Sequence, residues 1–187
     1  MRSLFYVIGP SGAGKDSLIL AARQALDGEQ IVFAHRYVTR PVNNGNENFV
    51  SLSVAEFAMR AQCNLFLFSW ASHNLHYAIG TEALFWLRSE LVVVINGSRA
   101  YLPQAQAQCD SLGIRLIPVW VTCELSVLAA RLRARAREPE SQIAERLVRA
   151  TAFVPPEGAL TIDNSGTLEQ ALMQWLPLLK QAIKRNE

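Results

Sequence analysis

The chain is poor in cysteine, in lysine and in net charge, and it has no long hydrophobic run. Its three cysteines, Cys63, Cys109 and Cys123, have neither metal-ligand spacing nor a pairing pattern. That argues against a zinc module or a disulfide scaffold and predicts buried thiols in a reducing compartment. A formal net charge of +2 over 187 residues is too small for a general nucleic-acid binder. No segment approaches the roughly 20 apolar residues of a membrane-spanning helix. The apolar run Leu4–Ile8 is short and leads straight into a glycine loop, so no signal peptide is expected. A cytoplasmic location is the expectation. There is no internal repeat or low-complexity linker, and half of the residues are hydrophobic, which predicts one domain with a sizeable core.

With only three lysines, fifteen arginines carry most of the positive charge, and many of them fall between Arg131 and Arg149. The planar guanidinium suits bidentate contacts to phosphate, so small, highly phosphorylated ligands are expected.

Gly9-Pro10-Ser11-Gly12-Ala13-Gly14-Lys15-Asp16 stands between a β-forming run, Leu4–Ile8, and a helical run, Ser17–Leu26. Strand, glycine loop and helix with G-x-x-x-x-G-K spacing form the context of a loop that cradles nucleotide phosphates. Its amides point inward, the helix start adds a positive dipole end, and Lys15 supplies a mobile cation. All eight residues are expected to hold the phosphates of ATP. The usual Ser or Thr after the lysine is here Asp16. A carboxylate is a hard oxygen ligand, so Asp16 is the candidate holder of Mg2+, directly or through water.

Downstream, strands and helices alternate. Ile31–Ala34 reads as a second strand, followed by His35–Pro41 and the turn-rich Val42–Glu47. Ser53–Arg60 reads as a short helix, with Ser53 as N-cap and Glu56 closing a capping box. Leu65–Trp70 reads as a strand and Ser72–Ala78 as a hairpin, so a small antiparallel unit is expected over about 35–78. Thr81–Ser89 reads as a helix. Leu91–Ile95 is apolar without a break, as in a parallel strand covered on both faces. A helix over Pro103–Ser111 precedes a strand, Ile114–Val121, which Pro118 should make irregular or place near an edge. Two helices, Glu124–Ala134 and Ser141–Ala152, flank an arginine-rich turn. Ala159–Ile162 is the last strand and Thr167–Lys184 the closing amphipathic helix. The fold class is therefore α/β, a P-loop NTPase-type parallel sheet flanked by helices. Its core is expected over 1–34, 79–130 and 153–187, with a helical lid over 131–152.

Other candidates are less specific. Arg36 and Arg40 are either phosphate contacts or solvated cations. His73 and His76 have no Cys or acidic cluster at ligand spacing, so hydrogen bonding to a substrate or loop packing is favoured over metal binding or base catalysis. Asn96-Gly97-Ser98-Arg99 follows the carboxyl end of the clearest strand, where ligands sit in such sheets. No acidic residue stands there to serve as a second magnesium aspartate. The arginines from Arg131 to Arg149 suit a lid that brings cations onto a transferring phosphoryl group and excludes water. A salt-bridged surface pair is the alternative, since Glu138, Glu140 and Glu145 are close. The turn Asp163-Asn164-Ser165-Gly166 stands at a sheet edge, where it could meet a nucleotide base.

The phosphate loop, Thr39-Arg40-Pro41, the Tyr77 hairpin, the arginine helices and the Asp163-Asn164 turn resemble the guanylate kinase branch of the nucleoside monophosphate kinases. The resemblance spans almost the whole chain and implies a guanylate-kinase-like fold with an acceptor-binding insertion and an arginine lid. It implies that Arg40 and Tyr77 hold the acceptor's phosphate and that Arg131, Arg135 and Arg146, with Arg137 close by, brace the transferred group. The guanine-reading acid that precedes the Trp-Ala pair in that branch is here Ser69, before Trp70-Ala71, and a tyrosine of the acceptor site is replaced at about Asn48. Without its polar partners a base-reading site loses most of its selectivity.

Gly9–Leu18, Ala34–Arg40 and Val93–Ala100 resemble one family in particular, the ribose 1,5-bisphosphate phosphokinases of phosphonate breakdown, in which an aspartate after the loop lysine is expected. That resemblance implies ATP-dependent phosphorylation of the 1-phosphate of ribose 1,5-bisphosphate to 5-phosphoribosyl 1-diphosphate. Arg36 joins Arg40 and Tyr77 as a candidate for the acceptor grip, and Asn96, Ser98 and Arg99 are candidates for the ribose or its second phosphate. A guanylate or other nucleoside monophosphate kinase is the alternative activity, and a non-catalytic guanylate-kinase-like binding module is a further one. A phosphate nucleophile is already anionic, so no general base is required.

Overall fold

The structure is a computed structural model that describes residues 2–41, 48–72, 74–134, 140–152 and 154–186. Its centre is a five-stranded sheet. β1 (Ser3–Ile8) and β7 (Val92–Asn96) are buried along their whole length, as their unbroken apolar sequences require. They pair in parallel, with β2 (Ile31–Phe33) outside β7, and with β8 (Arg115–Thr122) and β9 (Leu160–Asp163) beyond β1.

The pleat divides β1 between two apolar layers. Phe5 and Val7 face a layer with Leu18, Ile19 and Ala22 of α1 (Lys15–Ala25). Leu128 and Leu132 of α5 (Leu125–Ala134), Ile143 of α6 (Glu140–Thr151), and Trp175 and Leu179 of α7 (Leu168–Asn186) complete that layer. Leu4, Tyr6 and Ile8 face the other layer, with Ala83 and Leu87 of α3 (Glu82–Arg88) and Ala105 and Cys109 of α4 (Leu102–Ser111). α7 remains helical across Pro177, its residues on either side seated in the first layer.

A second sheet has the order β4-β3-β6-β5. Its strands are β3 (Arg36–Val38), β4 (Phe49–Ser51), β5 (Phe66–Ser72) and β6 (Leu75–Gly80), and α2 (Val54–Gln62) lies between β4 and β5. The sequence predicts an antiparallel unit. The structure corrects this: β3–β6 and β5–β6 are antiparallel, whereas β3–β4 is parallel. The segment 39–48 is long enough to return the chain to the end from which β3 started, which a tight turn would not do. Leu67, Phe68 and Ile79 of this sheet join the second apolar layer of the main sheet.

Three further expectations change. β8 is interior, but β9 meets it only from Val119 onward, so Pro118 lies in the stretch where one side of β8 has no strand. Ser53 caps α2 by accepting from the Glu56 amide at 3.1 Å, but the Glu56 carboxylate takes Arg60 one turn on at 2.6 Å. Cys109 and Cys123 are buried, and burial pushes the Cys109 thiol up to about 12. Cys63 is exposed because it follows directly on the last turn of α2. Among the described residues no helix is long and apolar enough to cross a membrane.

Candidate functional site

The glycine loop joins the buried carboxyl end of β1 to α1, so its position is fixed by the core on both sides. Gly14 is the N-cap residue and has φ 86°, a conformation that side chains disfavour. A Cβ there would lie 2.3 Å from Nδ2 of Asn164. That buried amide donates to the Ala13 carbonyl at 2.7 Å and braces the loop from the turn after β9. Lys15 Nζ donates to the carbonyls of Gly9 (3.0 Å) and Pro10 (2.8 Å), which holds the ammonium against the loop.

Asp16 faces the end of β7. Its Oδ1 accepts from Asn96 Nδ2 at 2.6 Å and lies 3.7 Å from Arg36 Nη2 at the start of β3. An ionised carboxylate only accepts, so this contact also fixes which way the Asn96 amide points. These residues line a cleft together with Ile19, Phe33 and Asn48. Asn48 donates to the Phe33 carbonyl at 3.0 Å, and its own carbonyl accepts from the Arg36 amide at 3.1 Å. It pins the junction of β2 and β3.

Of the expected acceptor residues, Arg36 and Tyr77 are brought together, the guanidinium 5.6 Å from the ring centroid. Tyr77 in turn stacks on Trp70, with centroids 5.8 Å apart and planes 7° apart, and Trp70 stacks on Tyr101. Arg40 lies over the Phe49 ring at 4.6 Å. The Ser98 backbone is held by the buried Tyr6 hydroxyl, which donates to its carbonyl (3.1 Å) and accepts from its amide (3.0 Å). Burial pushes the Tyr6 phenol upward. Arg99 lies over Trp120 at 5.9 Å; burial first, and then the Arg149 charge, lower its pKa.

The two arginine-bearing helices reach the loop from the other side. Arg146 of α6 donates to Ser11 Oγ at 2.6 Å. Arg131 of α5 lies beside Gly14, its Nη1 3.6 Å from where a Cβ would stand, and the same nitrogen is 3.6 Å from Cys123 Sγ. Arg133 makes a bidentate pair with Glu140 that joins α5 to α6. Arg135 and Arg137 lie outside the described residues, as does His73. His76 packs its ring on Phe57 at 5.4 Å.

Sequence reasoning missed Asn164 as a brace for the loop; the turn that it expected near a base uses this side chain for Ala13. Arg149 was expected only as one of the lid arginines; that its charge reaches Arg99 was not foreseen. The signal available was its place three residues after Arg146, on the same face of α6.

A magnesium ion takes one or two carboxylates and completes its octahedron with water and phosphate oxygens. Among the described residues no three His, Cys, Asp or Glu side chains cluster as a metal site. Asp16 fits the lesser requirement. Its Oδ1 is oriented by Asn96, and it stands at the mouth of the phosphate loop.

No protein-family model matches the chain. Among solved structures, guanylate kinase from Anaplasma phagocytophilum shares the fold with a TM-score of 0.64 at 11% identity, over 97% of this chain and 85% of that one. A gluconokinase from Sinorhizobium meliloti has a TM-score of 0.50 at 18% identity. Among curated relatives, ribose 1,5-bisphosphate phosphokinase PhnN of Laribacter hongkongensis is 51% identical over 92% of this chain, which spans only 42% of that longer protein. The protein of that name from Chromobacterium violaceum is 48% identical, over 93% of both chains. That from Thiobacillus denitrificans is 48% identical over 96% of this chain and 93% of its own. With a phosphate loop at its centre and relatives matched nearly end to end, the chain belongs to the ribose 1,5-bisphosphate phosphokinase PhnN family.

Proposed function

We propose that the protein transfers the γ-phosphoryl group of ATP to the 1-phosphate of ribose 1,5-bisphosphate, giving 5-phosphoribosyl 1-diphosphate and ADP. The observation that carries this reading is the single cleft in which Asp16, directly after the loop lysine, stands 3.7 Å from Arg36 of the second sheet. Donor-side and acceptor-side groups meet there, and the family membership names the acceptor.

The chemistry asks for position and charge rather than for a base. The attacking group is a phosphate oxygen that is anionic at neutral pH. The N–H groups of the loop from Gly9 to Gly14, Pro10 excepted, and Lys15 hold the β- and γ-phosphates in line. Arg131 and Arg146 reach the same loop and neutralise charge that builds on the equatorial oxygens. Arg36, Arg40 and Tyr77 hold the acceptor phosphate, with Asn96, Ser98 and Arg99 toward the ribose and its second phosphate. Mg2+, held by Asp16 and phosphate oxygens, supplies further charge neutralisation when bound. Residues 35–78 form the acceptor-binding unit and 131–152 the lid in this reading, and the enzyme works in the cytoplasm.

The test is ATP consumption with magnesium, with ribose 1,5-bisphosphate and GMP offered separately and products read by phosphorus NMR. A new diphosphate signal from the ribose compound alone is expected. Turnover of GMP alone would replace the acceptor. Turnover of neither would remove the activity from this chain. On the same assay Arg40→Ala should mainly raise the acceptor KM.

A further inference from the structure

The chain crosses twice between its two sheets. It leaves the parallel sheet at Ala34 and returns from β6 through Gly80 and Thr81 into α3. One side-chain pair spans both crossings. His35, the first residue outward, has Nε2 3.3 Å from Oε1 of Glu82, the first residue of α3. The contact has ion-pair distance without hydrogen-bond alignment, and Nε2 is buried.

Groups from β3 and α2 surround the pair. Tyr37 of β3 sets its ring edge-on to His35, with centroids 4.9 Å apart and planes at 82°. Arg60 of α2 lies over the Tyr37 ring at 5.2 Å. Burial raises the Glu82 carboxyl, but His35, its own backbone amide and Tyr37 outweigh this and hold it below the ordinary value.

Gly80 gives an independent sign that this carboxylate has an assigned place. It is not among the glycines with positive φ, so backbone conformation does not demand glycine there. An added Cβ would instead stand 1.9 Å from Oε2 of Glu82. The carboxylate occupies the volume that any other residue at position 80 would fill.

We propose that His35 and Glu82 form a clasp across the two crossings, and that they are positioning residues for acceptor use. The clasp sets the second sheet, and with it Arg36 and Tyr77, against the phosphate loop. Neither residue is among those lining the cleft. His35 acts through Arg36, its chain neighbour, which faces Asp16. The inference rests on residues 35–78 being the acceptor-binding unit.

Four single variants and one double test it. His35→Phe keeps a ring on Tyr37 and deletes the nitrogen; Glu82→Gln deletes the charge; Gly80→Ala displaces the carboxylate without changing any polar group. Each should raise the acceptor KM about fivefold to tenfold while the ATP KM stays within about twofold, and His35→Phe with Glu82→Gln should be no worse than the worse single, as for one shared contact. His35→Gln, which retains an N–H donor, should recover most of the loss. An unchanged acceptor KM, an equal loss for ATP, or additive effects would overturn the clasp.

A second readout needs no acceptor. The Ala34 amide donates to Val94 and the Thr81 amide to Leu65, one at each crossing. Amide exchange at both, followed by NMR, should accelerate several-fold in His35→Phe and Gly80→Ala, with the interior of β1 unchanged. Unaltered exchange at the crossings overturns the clasp even if the wild type turns over its acceptor. Failure of the wild type to turn over ribose 1,5-bisphosphate, with exchange accelerated, overturns the functional reading instead.

Discussion

At the scale of single residues, the loop shows what a sequence can and cannot carry. Gly9 to Asp16 are consecutive, so their chemistry is written locally and is legible as a motif. Their supports are not. Asn96 reaches Asp16 across 80 positions, and Asn164 reaches Ala13 across 151. No spacing rule joins residues so far apart; only the parallel order of β7, β1, β8 and β9 brings them together. The same holds for Arg40, whose motif was legible but whose place over Phe49 was not. Lys15→Ala should lower kcat by orders of magnitude with an unchanged circular dichroism spectrum; near-normal turnover would remove Lys15 from the donor site. Asn164→Ala leaves the Ala13 carbonyl without its buried donor, so chemical denaturation should show a loss of about 1–3 kcal/mol. A loss confined to tenths of a kcal/mol would mean that water replaces the amide.

Elements were read more reliably where burial is uniform. β1 and β7 have no polar residue between their ends and therefore announce themselves as central strands. β3 and β4 are three residues each, too short for alternation to reveal their direction or their parallel pairing. Pro118 marks a boundary that exists only relative to β9. α3 carries a pH prediction through Glu82, its first residue. The folded carboxyl titrates below its ordinary value, so the unfolded chain takes up the proton first as pH falls. The stabilisation is complete above the usual glutamate range, near pH 4.3 and upward, and is lost as pH falls through the folded value. Glu82→Gln should therefore melt below the wild type at pH 7, and the gap should narrow as pH falls below about 4. A gap that stays constant with pH would show that the charge contributes nothing and that only the shape of the side chain matters.

At the scale of the whole molecule, the two phosphate grips stand on different units. The loop belongs to the parallel sheet, and Arg36 with Tyr77 belongs to the second sheet. Asp16 of the loop unit lies 3.7 Å from Arg36 of the second sheet. Ligands that bind the folded state stabilise it by mass action, about 2.7 kcal/mol at a hundredfold excess over Kd. For a chain of this size that is a rise in Tm of roughly 5–10 °C. MgATP and ribose 1,5-bisphosphate should each raise the wild-type Tm. Lys15→Ala should lose the MgATP shift and keep that of the acceptor, and Arg36→Ala should do the reverse. If either variant loses both shifts, the two sites are one cooperative unit and the division of labour between the sheets is wrong. Omitting magnesium should shrink the ATP shift in the wild type, and Asp16→Ala should make that shift indifferent to magnesium. A persisting dependence in Asp16→Ala would mean that the triphosphate alone holds the ion.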